Sequence, residues 1–186
     1  MQTQLYWIDD PWPGRLAIMP RPRGGDWLED EISSWQRLGI DAIVSALTRE
    51  ENAELDLIQE KEQCEKAGIE FLSFSIVDRG VPLSAKDTWE LVRRLEQRLA
   101  QGKKIAIHCR QGVGRAALLA ACVLAAGGID AASAWQRIAA ARGCAVPDTS
   151  EQREWVVRFA DDILASRPGV KSSPGDAGTL LFSGGE

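Results

Sequence analysis

The chain has little of what metal and redox centres are made from. Among its 186 residues there is one histidine, His108, and there are four cysteines, Cys64, Cys109, Cys122 and Cys144. No two cysteines stand at the close spacing of a zinc knuckle or a redox Cys-x-x-Cys, so neither a metal site nor another cofactor is expected. A basic surplus is also missing. The net charge is -5 and the pI near 5.1, which argues against a nucleic-acid partner. An anionic substrate stays open, because the local field of a cleft decides its binding. No apolar run is long enough to span a membrane, so no membrane partner is expected. The N-terminal MQTQLYWIDDPWPGR lacks the basic region and apolar core of a signal peptide. These absences point to the reducing cytoplasm, where a reactive thiol stays usable. Internal repeats are absent too, and nothing in the sequence indicates an oligomeric state.

What is present suits one globular domain. Apolar residues make up 45% and charged residues 26%, and the length supports a core that needs no cross-links. Short apolar runs at 5–8 and 16–19 read as strands around the turn-rich Asp9 to Gly14. Leu28, Ile32, Trp35 and Leu38 recur at helical spacing over 27–38, and Gly39 ends that helix. A buried strand is expected at 41–47. Thr48 and Glu51 have capping-box form and open a helix that runs to about Ala67. A strand follows at 69–76, then the loop Val77 to Pro82. Ser84, with Asp87 three residues on, starts a helix through Leu99, and Lys104 to Ile107 reads as another buried strand. Asp130 caps a helix through Ala141, and Thr149 caps a last one to about Ala165. Alternating strands and helices predict an α/β fold with a mostly parallel sheet. The catalytic unit is expected within 1–166, and the Pro/Gly/Ser-rich 167–186 as a flexible tail.

The most informative stretch is His108-Cys109-Arg110-Gln111-Gly112-Val113-Gly114-Arg115. A β-branched strand precedes it and a run of small apolar residues follows, so the order is strand, glycine-bearing loop, helix. Such a turn aims backbone N–H groups and a helix N-terminus at one point, which makes an anion site. Positive charge and the helix dipole there favour the thiolate of Cys109. The backbone of Arg110, Gln111, Gly112, Val113, Gly114 and Arg115 is placed to hold phosphate oxygens. Arg115 adds a planar fork for two of them.

His-Cys-x5-Arg, with Gly112 and Gly114 inside it, resembles the signature of cysteine-dependent protein tyrosine phosphatases. The modest length and the upstream Asp78 loop resemble the dual-specificity branch, and PRPRGGDWL and DRGVP its small bacterial members. The resemblance implies a single-domain phosphatase fold and hydrolysis of phosphomonoesters without metal. It implies Cys109 as nucleophile through phosphocysteine, Arg115 as phosphate clamp, and Asp78 as acid and then base. His108 is expected to order the cysteine by hydrogen bonds. The substrate implied is a phosphorylated protein or a small phosphate ester. In two places the chain departs from the family. Ala116 stands where a Ser or Thr usually follows the arginine, which implies slower breakdown of phosphocysteine. Ser75 and Val77 stand where prolines often precede the acid, which implies a looser acid loop.

Blander readings exist for several of these residues. Asp78 also fits an Asp-Arg-Gly turn. Asp148 and Asp87 rival it as acids, yet turn and capping chemistry explains both. Gln152 either orients a water or completes a capping box with Thr149. Arg110 points at substrate or into solvent, and Trp27 and Arg23 are candidates to line the pocket. Cys64, Cys122 and Cys144 read as structural. Two rival functions remain: rhodanese-type sulfur transfer, which also uses a cysteine in an anion loop, and a non-catalytic phosphate-binding module.

Overall fold

The computed structural model describes residues 4–166, so the tail expected at 167–186 lies outside the described residues. Among the described residues five strands form one sheet: β1 (Tyr6–Trp7), β2 (Arg15–Pro20), β3 (Ala42–Ser45), β4 (Glu70–Ser73) and β5 (Lys104–Cys109). Their order is β1-β2-β5-β3-β4. Only β1 runs antiparallel, beside β2. The others are parallel, as the alternating pattern predicts. The helices are α1 (Leu28–Arg37), α2 (Arg49–Glu54), α3 (Glu60–Lys66), α4 (Ala85–Ala100), α5 (Arg115–Ala126), α6 (Ala131–Arg142) and α7 (Ser150–Ser166). No helix among the described residues is long and apolar enough to cross a membrane.

The pleat divides the core in two. Leu16, Ile18, Val44, Ile105, Ile107 and Cys109 face α4 to α7, whereas Ala17, Met19, Ile43 and Ala106 face α1 and α3. Helix α5 lies inside the larger core against α4, α6, α7, β2 and β5. All twelve of its residues are buried. A helix packed on every side must be apolar all round, and its alanines let neighbours approach closely. This explains why RAALLAACVLAA shows no polar stripe. The anion loop is thereby mounted on two elements that are buried almost throughout.

Two expectations need correction. The helix expected from Thr48 to Ala67 is two helices, separated at 55–59. Asp56 takes φ +54, a left-handed conformation that Asp tolerates better than most residues and that ends a helix. Leu57 turns into the smaller core beside the partly buried Leu55, a spacing that no single helix would serve. The strand expected over 69–76 ends at Ser73. Beyond it the chain folds over the end of β3: Phe74 N–H donates to Ser45 O at 2.9 Å and Ile76 N–H to Ala46 O at 3.2 Å. The Ser75 hydroxyl donates to Leu47 O at 3.1 Å, so Ser75 ties down the approach to Asp78 that a proline was expected to stiffen.

Candidate active site

Crossovers on opposite faces of the sheet build the site. The β2–β3 connection passes through α1 on one face, and the β4–β5 connection through α4 on the other. β5 enters the sheet between β2 and β3, so its carboxyl end opens into the crevice where ligands bind in such sheets. Cys109 is the last residue of β5, and Arg115 the first of α5.

The turn between them requires glycine at position 112 and is tight against neighbouring side chains at 114. Gly112 has φ +68, and a Cβ there would lie 2.5 Å from the Met19 carbonyl carbon. That turn brings the Gly112 N–H to the Cys109 sulfur at 3.3 Å. At Gly114, the N-cap of α5, a Cβ would lie 2.0 Å from Asp148 Oδ2. No side chain caps α5, so its first N–H groups remain for an anion. Val113 turns back onto the main core.

Arg115 is 1% exposed, and both of its terminal nitrogens are hydrogen-bonded. Its Nη1 donates to Glu51 Oε2 at 2.6 Å and to Ile76 O at 2.9 Å. Nη2 donates to Glu51 Oε1 at 2.9 Å and to Asp78 Oδ1 at 3.0 Å. The Glu51 contact is a fork-to-fork pair. Burial alone would raise the Glu51 carboxyl. The bonds from Arg115 and the Thr48 N–H, with the Arg115 charge, outweigh that and hold it at about 2. Burial likewise pulls Arg115 down, while Glu51, the charge at Cys109 and Asp78 push it up more strongly. Glu51 also closes the capping box of α2, with Thr48 N–H donating to Oε2 at 3.0 Å.

Asp78 sits on the rim with its side chain 60% exposed. Gly80 N–H closes its turn on Val77 O at 2.8 Å, with Arg79 at φ +58. The buried Gln152 steadies the same turn, its Nε2 donating to Gly80 O at 2.9 Å. Thr149 does cap α7, accepting from Gln152 N–H at 3.2 Å, but the Gln152 side chain is spent on Gly80 rather than on a capping box.

A cavity of about 160 Å³ opens above the sulfur, lined by Asp78, Arg79, Cys109, Arg110, Gln111, Arg115 and Asp148. Five of the expected site residues therefore meet in one pocket, and Asp148 joins them in its wall. Arg110 lines it while bonding Glu54 at 2.9 Å and Glu51 at 3.3 Å. Asp87 stands in the first turn of α4, where its N–H donates to the capping Ser84 Oγ at 3.1 Å. Arg23 and Trp27 stack on each other, guanidinium carbon 4.7 Å from the ring, outside the residues that line the pocket. His108 points to the opposite face of the sheet from Cys109. Its Nε2 lies 2.9 Å from Glu60 Oε1, with both side chains buried and the angle outside hydrogen-bond geometry. Cys64 and Cys122 are fully buried and their thiols are pushed up by burial, which suits structural roles; Cys144 is exposed. Glu51 and Glu60 were not evident as site residues. Glu51 was visible only as a cap, and a lone Glu after a helix break gives no signal.

Comparison with known proteins identifies the family and the fold. Residues 3–157 match the family described as PTP-SAK, Swiss Army Knife protein, DSP-PTPase phosphatase domain. The fold is similar to kinase associated phosphatase carrying serine for its catalytic-site cysteine, at TM-score 0.79 and 21% identity, covering 89% of this chain and 98% of that one. It is similar to Tk-PTP in its active form, at TM-score 0.70 and 29% identity, with 84% and 96% covered. PTPMT1 aligns at TM-score 0.68 and 20% identity, with 87% and 97% covered. No curated protein matches the chain at the level of sequence. These likenesses favour neither sulfur transfer nor a non-catalytic module.

Proposed function

The chain belongs to the PTP-SAK family of DSP-PTPase phosphatase domains and is a phosphatase of the protein-tyrosine-phosphatase type, and we propose that it works through a phosphocysteine on Cys109. One observation carries this reading. The Cys109 sulfur, the Gly112 N–H, the Arg115 guanidinium and the Asp78 carboxylate converge on a single small polar pocket.

The Cys109 thiolate attacks phosphorus, and the three equatorial oxygens lie on the N–H groups of Arg110 to Arg115 and on the guanidinium, whose Nη2 gives up its bond to Asp78 for the substrate. Arg115 is already oriented by Glu51, so little ordering is left for the transition state. Asp78 stands on the rim where a leaving oxygen departs and protonates it. His108 acts as a positioning residue through the strand: its carbonyl accepts from Ala46 N–H at 2.9 Å and its ring lies on Glu60. Our reading takes 1–166 as the catalytic unit. The free thiols suit a reducing compartment, the cytoplasm. A phosphorylated protein or small phosphate ester is the substrate class. The polar walls around the sulfur suit the phosphate group itself more than an apolar ring.

Cys109→Ser is expected to abolish phosphate release from p-nitrophenyl phosphate while phosphate still binds, and Arg115→Ala to lose both. Steady hydrolysis by Cys109→Ser would sink the covalent route.

A further inference from the structure

We propose that Arg79 holds a second anionic group of the substrate, and that the substrate is a small phosphate ester whose alcohol part carries that group a few bonds from the ester oxygen. The inference rests on the covalent reading above and deepens it by choosing within the substrate class.

Three cations line the pocket, and two of them are already paired. Arg115 is bonded to Glu51 and Asp78, and Arg110 to Glu54 and Glu51. The Arg79 side chain makes no hydrogen bond or ion pair among the described residues, although Asp78 and Asp148 line the same cavity. Its backbone is also held at a cost. In the turn closed by Gly80 N–H on Val77 O, Arg79 is the third residue and takes φ +58. Glycine is favoured at that place, and the chain's own glycine stands one position later. A bulky side chain kept on a strained backbone in a pocket wall points to a use for that side chain.

The position of Arg79 decides which part of a substrate it meets. The reacting phosphate is covered by the loop N–H groups and Arg115. Asp78 serves the leaving oxygen, so its neighbour Arg79 reaches the alcohol beyond that oxygen. A guanidinium fork suits a carboxylate or a phosphate alike. Asp148 in the same wall repels further negative charge, so the pocket offers one extra anionic place rather than a basic cleft for a polyanion. Size selects a small molecule. The cavity measures about 160 Å³. One of about 150 Å³ holds benzene, so a phosphate on a short polar chain fills the space. The flanking carboxylates of a phosphopeptide would lie outside it.

Phosphate release by the full chain from short-chain phosphate esters that end in a hydroxyl, a carboxylate or a second phosphate tests this. Wild type is expected to favour both charged esters over the hydroxyl-ended one in kcat/KM by at least about tenfold, the worth of one charge-assisted hydrogen bond. The faster of the two charged esters identifies the second group, and the preference should shrink as salt is added. In Arg79→Gln the ratio should fall to near unity. Arg79→Gly suits the positive φ, so it should unfold much as wild type does and lose the ratio equally, which assigns the loss to the missing guanidinium. A wild-type ratio near unity overturns the proposal, as does a ratio that survives in either variant. So does a larger Arg79-dependent preference between acidic and neutral phosphotyrosine peptides than between the esters, which would move the second anion onto a protein substrate. If no ester or peptide releases phosphate while inorganic phosphate still binds, the covalent reading itself fails and takes this inference with it.

Discussion

Glu51 and Asp78 both bond Arg115, yet the segments that carry them are built in opposite ways. Glu51 stands in the first turn of α2, inside a completed capping box, with its side chain 10% exposed. Each of its oxygens accepts at least two bonds, from Thr48, Arg110 and Arg115. Asp78 follows a strand end on an exposed turn and gives one oxygen to the same arginine. A carboxylate saturated with donors is a poor proton carrier and a good anchor; one with a single contact on the rim can exchange a proton with a substrate. The two therefore divide the work: Glu51 sets where the guanidinium lies, and Asp78 is left for proton transfer.

Removing the anchor should have the largest effect. Glu51→Ala leaves Arg115 buried beside only Asp78 and the Ile76 carbonyl, and loss of one partner of a buried pair costs about 3–5 kcal/mol. Chemical denaturation should show that loss, and kcat/KM should fall by at least about 100-fold, since misplacement of a positioning group is that costly. Activity surviving within a few-fold would show that Arg115 orients itself. The same carboxylate sets an acid limit. Its folded value, about 2, lies below the ordinary 4.5, so its stabilisation is complete above pH 4.5 and is lost as pH falls towards 2. Stability measured between those limits should decline in wild type and decline less steeply in Glu51→Gln.

Changing the proton carrier should affect chemistry and leave stability almost untouched. Asp78→Asn is expected to unfold within about 0.5 kcal/mol of wild type, as exposed substitutions do. Its kcat should drop about 100-fold for an alkyl phosphate and far less for p-nitrophenyl phosphate, whose leaving group needs little protonation. Equal losses across leaving groups would remove Asp78 from the acid role and blur the contrast with Glu51.

That contrast was only half legible in the sequence, for a physical reason. Cys109, the two glycines and Arg115 are readable because a strand, a turn and a helix start are local, and their chemistry sits within one loop. Asp78 follows from the family likeness to its position. Glu51 was hidden because a local pattern already explained it: the capping box accounts for its side chain, while its bonds to Arg115 span 64 residues. The helix break at Asp56 was hidden similarly, since 49–67 carries no glycine or proline and the break is set by Leu57 turning into the core. His108 went the other way. Its place beside Cys109 suggested a direct hydrogen bond, but adjacent strand residues point to opposite faces, which puts its ring on Glu60 instead.

The smallest expected effect lies at the outer edge of the anchored side. Arg110 reaches Glu54 at 2.9 Å and Glu51 at 3.3 Å, but its side chain is 36% exposed and that of Glu54 63%. Exposed ion pairs contribute about 0–1 kcal/mol, so Arg110→Gln should change unfolding by less than that. Arg110 also lines the pocket, and its charge favours an incoming dianion. The variant should therefore raise KM a few-fold at low ionic strength, with kcat unchanged and the difference shrinking as salt is added. A fall in kcat instead would mean that Arg110 helps Glu51 hold Arg115. The anchor would then extend out to the rim, and the boundary between the two carboxylate regions would move with it.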